Sequence, residues 1–396
     1  DEDFIRGACR EYVAAVSDFY GGEALVCYAS KAFSCKEMYR IANAEKMGAD
    51  VVSGGELYTA LAAGFPAGKI YFHGNNKTKK EIEYALKNGV HALVADSLSE
   101  IELIASVAAR VKKTAPIMLR LNPGIEAHTH HYIRTAAVDS KFGLAVGSGD
   151  AFRAAGRVIQ DPNLAFVGLH THIGSQIFEL EPYGLVTGVF VNLAERLLRE
   201  YGAETPEFNF GGGAGVRYTQ EDKPFAFRGL VKFIADSVKT ETAKAGLKKP
   251  RLVLEPGRSI VAEGGLTLYT VGVVKEIPGV KKYVCIDGGM FDNPRYALYQ
   301  AKYEMVLANR ANDTDTEKVT LAGKCCESGD IIIDGGQLAR AQRGDLVAVF
   351  TTGAYNFSMA SNYNRNAVPP AVMVKDGAAR LIVKPQTWAQ IAARDV

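Results

Sequence analysis

Eight short apolar runs, each ending in glycine or a polar residue or followed at once by one, constrain the possible folds of this chain more than any other feature. They read ALVCYASKA (24–32), ADVVSG (49–54), KIYFHG (69–74), HALVAD (91–96), PIMLRLNPG (116–124), FVGLHTHIGS (166–175), FNFGGG (208–213) and RLVLEPG (251–257). The runs are apolar throughout and do not alternate with polar residues, which is the pattern of parallel strands buried on both faces. Amphipathic stretches lie between them. SCKEMYRIANAEKMG (34–48) offers Ser34 as an N-cap and Gly48 as a stop. SGGELYTALAAG (53–64), TKKEIEYALKNG (78–89) and SLSEIELIASVAARVK (97–112) repeat the scheme. Strand then helix, eight times over, predicts a closed (β/α)8 barrel. An open doubly wound sheet is the alternative, and the regular spacing favours closure.

Beyond residue 260 the pattern changes. LTLYTVGVVKEI, KKYVCIDGG, VTLAGKCCESGDIII and DLVAVFTTGAY are β-rich, with turn-forming Gly and Asp between them and no alternating helix. The expectation is a barrel over 1–260 and an all-β domain over 261–396, with QTWAQIAARDV (386–396) as a closing helix.

Composition removes several function classes. The net charge is +2, from 46 basic and 44 acidic residues, and no basic tract points to nucleic acid or an anionic membrane. No apolar run approaches the ~18 residues needed to span a bilayer. No signal peptide is visible, and without an initiating Met a few further residues are expected ahead of Asp1. The six cysteines, at 9, 27, 35, 285, 325 and 326, lack the spacing of a disulfide framework, so a reducing, cytoplasmic setting is expected.

In such a barrel, functional groups collect at the C-terminal ends of the strands. Lys31 ends the first run, where a lysine needs an ion-pair partner or a Schiff base; a snorkelling surface lysine is the plainer reading. His170 and His172 in LHTHIGSQ would point the same way on an extended strand and suit zinc, but no third ligand stands out. HTHH (128–131) reads as a solvated cluster. GGGAG (211–215) lets backbone N–H groups approach an anion such as phosphate, or makes a tight turn. Glu255 and Arg258 in EPGR are ordinarily a structural ion pair. Taken together, a lysine, a phosphate cradle and an acid for a pyridine nitrogen are what pyridoxal phosphate requires. Cys325-Cys326 is open at this level: a redox pair, half of a metal site, or a thiol placed for one proton transfer.

Seven motifs are more specific. YASKA, LHTHIGSQ, FNFGGGAG, LVLEPGRSIV, DGGMFDNPRYALY, CESGD and GAYNFSMASNYN occur in order along essentially the whole chain. The series resembles that of the diaminopimelate decarboxylase family, fold-type III pyridoxal-phosphate-dependent decarboxylases related to ornithine decarboxylase and more distantly to alanine racemase. The resemblance implies pyridoxal 5'-phosphate as cofactor and conversion of meso-2,6-diaminopimelate to L-lysine and carbon dioxide. It also implies a homodimer with shared active sites, no metal, and one strand ahead of residue 1. By that resemblance Lys31 is the Schiff-base lysine and His172 stacks on the cofactor ring. Ser175, Gly211, Gly212, Gly213 and Tyr355 hold the phosphate, with backbone help from the turn Glu255–Gly257–Arg258. Glu255 meets the pyridine nitrogen, and Asp50 and Arg120 lie near the lysine and ring. Arg258, Arg295, Tyr299 and Tyr355 bind the substrate, the first three its distal carboxylate, and Glu327 binds its distal ammonium. Cys326 is the proton donor, acting with Glu327 in the partner's site, and Cys325 is a bystander. Arg295 and Tyr299 share a helix face if PRYALYQ is helical. Tyr296 and Gln300 stand where the family pattern leads one to expect Pro and Gly. The alternatives are a decarboxylase of carboxynorspermidine or ornithine type, or a catalytically dead regulatory homologue. Glu327 beside the acid argues against the first, and retention of Lys31, Glu255 and Cys326 against the second.

Overall fold

The eight apolar runs form the eight strands of a closed parallel barrel in the computed structural model, which describes residues 1–125 and 140–396. The HTHH cluster at 128–131 lies outside the described residues. The strands are β1 (Ala24–Ala29), β2 (Gly48–Val51), β3 (Ile70–Phe72), β4 (Ala92–Ala95), β5 (Ala115–Asn122), β7 (Leu164–His170), β8 (Glu207–Asn209) and β9 (Arg251–Leu254); a two-residue β6 (Leu144–Ala145) adds to the edge of β5. Neighbours pair in sequence order, with β7 beside β5, and β1 pairs with β9 to close the ring. Leu25, Cys27, Tyr71, Ala92, Val94, Met118 and Val253 pack together as a buried interior layer. A packed barrel interior leaves the strand ends to carry chemistry.

Local signals explain the helices between strands. Ser53 and Ser97 accept from the backbone N–H of Glu56 and Glu100, and Thr78 forms a capping box with Glu81. Gly89 ends its helix in the left-handed conformation at φ 72°. The helix expected over 34–48 differs. It spans Lys36–Ala44, its N-cap is Cys35 with no side-chain cap, and Ser34 lies outside it. Gly48 does not stop it. The chain leaves through Lys46 at φ 65°, and Gly48 opens β2, where a Cβ would lie 2.7 Å from Cys27 Sγ and 2.8 Å from the Lys69 carbonyl. Packing in the barrel, not helix termination, requires that glycine. A helix over Glu2–Tyr20, for which the strand pattern offers no cue, precedes β1, and Tyr12 stacks on Phe227 at 5.0 Å.

The structure divides into two compact units: Arg6–Gly215 with Pro224–Gly257, and Asp1–Ile5 with Val216–Lys223 and Arg258–Val396. The second unit is mostly sheet. Its six-stranded sheet runs β12 (Met305–Leu307), β15 (Leu346–Val349), β10 (Thr267–Ile277), β11 (Lys281–Ile286), β13 (Thr316–Ala322), β14 (Ile331–Ala339), and β16 (Ala371–Lys375) with β17 (Ala378–Val383) forms a hairpin. Asp1 and Glu2 join this unit through the terminal amine on Gly264 O (2.7 Å) and an ion pair with Arg380 (2.7 Å). The C-terminal stretch does contain a helix, Trp388–Ala392, started by a Thr387–Gln390 capping box. No helix among the described residues is long and apolar enough to cross a membrane.

Candidate active site

The barrel mouth is built from strand ends. After β1 a single 3₁₀ turn, Ser30–Ala32, carries Lys31, whose Nζ lies 2.5 Å from Asp50 Oδ2. Asp50 comes from β2 and is fully buried; its other oxygen is 3.9 Å from His73 Nε2, just beyond β3. His73 in turn lies 2.8 Å from Glu255 Oε1, just beyond β9. Glu255 also accepts from Asn209 Nδ2 at 2.7 Å, at the end of β8, and sits 3.3 Å from His170 Nε2 at the end of β7. Burial alone would raise the Glu255 carboxyl, but the adjoining His73 and His170 outweigh it and hold it well below the usual carboxylate range. Burial drives the His170 imidazole down to about 4, with Glu255 opposing. His73, His170 and Glu255 offer donor atoms within 4.8 Å of one another, the spacing of a metal site. The same contacts keep Glu255 anionic, and one carboxylate oxygen is already taken by Asn209.

β7 ends at His170, so His172 stands in the following loop and not on a continuing strand. The two histidines therefore do different work. His172 adjoins the glycine loop: a Cβ on Gly211 would lie 3.1 Å from its Nδ1. Burial, followed by the charges of Lys31 and Arg120, keeps its imidazole well below the ordinary value and hence neutral. Gly211 and Gly213 take left-handed φ of 63° and 110°, and their Cβ atoms would lie 2.7 Å from Thr171 O and 2.6 Å from Gly174 O. A Cβ on Gly212 would collide with the Glu255 carbonyl. The loop is thus wedged between Glu255 and the loop carrying His172 and Ser175, which bridges to it through Ile177 and Ala214. Gly257 packs on Ala29, where a Cβ would lie 2.9 Å from the carbonyl, beside the Lys31 turn. Arg120, on β5, lies 4.3 Å over the Phe142 ring in the field of Asp96, Glu255 and Asp50.

This donor set fits pyridoxal phosphate: an amine held by a carboxylate, a buried anion for a ring N–H, a neutral imidazole, and a glycine loop without side chains to bar an anion. Sequence reasoning did not single out His73 or Asn209. Both occupy the same strand-end position as Lys31 and Glu255, which is the signal that could have found them.

The second unit holds the other expected residues. Arg258 Nη1 donates to Tyr218 Oη, and its guanidinium lies 4.6 Å over the Tyr355 ring. Arg295 is 5% exposed; its Nη1 donates to Tyr303 Oη at 2.8 Å, and it lies 4.7 Å over the Tyr218 ring. Tyr218 and Tyr303 therefore join Arg258, Arg295 and Tyr355 into one cluster, although neither tyrosine belongs to a recognised motif. Arg295 Nε is buried without a hydrogen-bond partner, and among the described residues no carboxylate pairs with Arg295. Tyr299 lies on the same short helix, Arg295–Tyr299, and is half-buried. Cys326 and Glu327 stand on an exposed turn. The Cys326 N–H donates to Asn364 Oδ1 at 2.7 Å, and the Glu327 carboxylate accepts from Gly329 N at 3.3 Å. Cys325 is half-buried, and burial with the nearby Asp330 pushes its thiol up to about 11, which makes it a poor acid. Both cysteines are free thiols.

A closed barrel with a lysine at one strand end, an anionic glutamate at the next and a glycine loop beside that glutamate defines a pyridoxal-phosphate enzyme of the barrel type. The chain belongs to the pyridoxal-dependent decarboxylases: the profile described as "Pyridoxal-dependent decarboxylase, pyridoxal binding domain" matches residues 5–262. The diaminopimelate decarboxylase of Staphylococcus aureus is 47% identical over 396 residues, 100% of this chain and 92% of that protein. That of Bacillus subtilis is 46% identical over 383 residues, 95% and 86% respectively. The M. jannaschii diaminopimelate decarboxylase solved with L-lysine superposes with a TM-score of 0.93 at 35% identity, covering 100% of this chain and 91% of that one. The Helicobacter pylori enzyme, also with L-lysine, gives 0.91 at 32%, covering 99% and 94%. The chain is a pyridoxal-phosphate-dependent lyase.

Proposed function

We propose that this chain decarboxylates meso-2,6-diaminopimelate to L-lysine and carbon dioxide. The observation that carries the reading is Arg295, a buried guanidinium that among the described residues meets tyrosines and no carboxylate. Such a cation is costly to bury without an anion. A substrate with a distal carboxylate supplies one, whereas ornithine and arginine have none. The shared name of the relatives, diaminopimelate decarboxylase, over most of their length supports the same choice.

Bound pyridoxal phosphate supplies an electron sink for the bonding pair left when carbon dioxide departs. The chain's own residues do the rest. Lys31 supplies the amine that anchors the cofactor, held toward it by Asp50. Glu255, kept anionic by His73 and His170, holds the proton on the pyridine nitrogen. His172, neutral, would pack against the cofactor ring, and Arg120 would balance the surrounding carboxylates. Ser175, Gly211, Gly212, Gly213, Gly257 and Tyr355 hold the phosphate. Arg258, Arg295 and Tyr299 grip the distal carboxylate, and Glu327 the distal ammonium. The carbon–carboxylate bond breaks, and the Cys326 thiol gives its proton to one face of the carbon that lost it. Cys326 and Glu327 serve the partner subunit's site in a homodimer, a role their exposed turn permits. The setting is the cytoplasm, in keeping with six free thiols.

The test is lysine and carbon dioxide release from meso-diaminopimelate, run beside ornithine, arginine and carboxynorspermidine. Turnover of meso-diaminopimelate alone is expected. Faster turnover of any of the others would overturn the reading.

A further inference from the structure

Asp330, the last residue of CESGD, is 3% exposed, yet among the described residues no Lys, Arg or His pairs with it. Its carboxylate is held by two backbone N–H groups, with the Cys325 thiol beside it: Met290 N donates to Oδ1 at 2.6 Å and Cys325 N to Oδ2 at 2.7 Å. A buried anion is stable only where such charge-assisted bonds are kept. The two donors come from different loops. Cys325 opens the turn that carries Cys326 and Glu327; Met290 lies in the loop that leads into Arg295. Further bonds knit the same loops, from Lys324 N to Gly288 O at 3.0 Å, Gly323 N to Asp330 O at 2.9 Å and Asp330 N to Glu327 O at 3.1 Å. Both loops close onto the carboxylate so tightly that each needs a glycine there. A Cβ on Gly289 would lie 2.6 Å from Oδ2, and one on Gly323 would overlap the carboxylate.

We infer that Asp330 is a positioning residue that locks the proton-donor turn and the substrate-arginine loop into one piece, so that Cys326, Glu327 and Arg295 keep a common register. The inference rests on the roles given above to those three residues. Each carboxylate oxygen faces an N–H, so an amide must turn its own N–H at one of them. Asp330→Asn is therefore nearly isosteric but breaks one of the two ties.

In deuterium oxide the parent enzyme should form lysine with one deuterium of single configuration at the ε-carbon, because one thiol delivers it to one face. Asp330→Asn is expected to lower kcat roughly 10- to 100-fold, the scale of a slight misplacement of a reacting group. It should raise KM several-fold and mix the two deuterium configurations. Cofactor loading, read by borohydride trapping on Lys31, should stay at the parent level. In a Cys325→Ala background, the rate of Cys326 alkylation by iodoacetamide should change in step. That measurement needs no substrate, so it decides the lock even if the parent enzyme failed to release lysine. Gly289→Ala, which presses on the same carboxylate from the other loop, should reproduce the effects if the Asn variant does not fold. Parent-like kcat, stereochemical purity and alkylation rate in Asp330→Asn, or in Gly289→Ala when the Asn variant does not fold, would overturn the inference. So would a loss of activity that only follows a loss of cofactor loading.

Discussion

Lys31 at the barrel mouth lies 2.5 Å from Asp50, and the next buried charge, Glu255, is flanked by two histidines. In the sheet unit, among the described residues, Arg295 meets tyrosines and no carboxylate, and Asp330 is held by backbone N–H groups and no cation. At the barrel mouth Lys31, Asp50, His73, Glu255 and His170 balance one another, side chain against side chain. Among the described residues, the sheet unit leaves the Arg295 charge without a protein anion. A self-balanced network suits a resident cofactor whose charges never leave. An unbalanced guanidinium suits a ligand that arrives with a carboxylate and departs with it. The first is a fixed electrostatic frame; the second becomes balanced only in the complex.

The largest blow to the barrel half of this comparison is Lys31→Ala. It should abolish turnover, and the borohydride-reducible cofactor adduct should vanish, because no other amine is placed to form it. An adduct mapped by peptide mass to another lysine in the parent enzyme would break the barrel reading. Next comes Cys326→Ala, expected to lower kcat by about 10²–10⁴, the usual value of a positioned acid. Cys325→Ala should leave kcat nearly unchanged. Mixing inactive Lys31→Ala and Cys326→Ala chains should recover roughly a quarter of wild-type activity. Random pairing makes half the dimers mixed, and each of those holds one intact site. No recovery, with subunit exchange verified by native mass spectrometry, would confine the thiol to its own chain.

Arg295→Lys sharpens the sheet-unit half. A point-charge ammonium cannot copy a bidentate guanidinium grip, so KM for diaminopimelate should rise by the equivalent of about 1.5–3 kcal/mol. Unchanged kinetics would show that Arg295 does not meet substrate. The smallest effect concerns Asp292, another sheet-unit carboxylate without a cation. Burial pushes its carboxyl up to about 6, against hydrogen bonds from Tyr269 and Gly289. A folded-state value above the unfolded one means that the native state holds the proton longer. Its contribution is present below about pH 4 and is lost as pH rises through about 6. Asp292→Asn removes that titration, so its urea midpoint should fall less than the parent's between pH 4 and 7, by at most about 3 kcal/mol in stability. Parallel midpoints would mean that Asp292 stays charged throughout.

The strands and the glycine loop were legible because they are local: apolar runs of the right length and glycines at their ends. The clusters were not. His73 and Glu255 are 182 residues apart, and nothing in a periodic pattern states that β3 and β9 deliver side chains to one point. Tyr218 and Tyr303 were missed for the same reason, since their role is to hold arginines that lie far along the chain. Ser34 and Gly48 show the reverse error. Each carries a correct local preference, but Gly48 is needed by the close approach of Cys27 and not by the helix before it.

Barrel closure also dictates an order of events during synthesis. β1 at 24–29 finds its second neighbour only in β9, with Ala24 paired to Leu252. Until that strand emerges, the nascent sheet has two open edges, a state prone to wrong pairing. Glu255 follows β9 directly, so the frame around His73, His170 and Asn209 gains its central anion only at the step that seals the ring. A half-made chain can present Lys31 and Asp50, but it has no place to hold a pyridine nitrogen. A chain that stalls before residue 255 therefore lacks the anion at the centre of that frame.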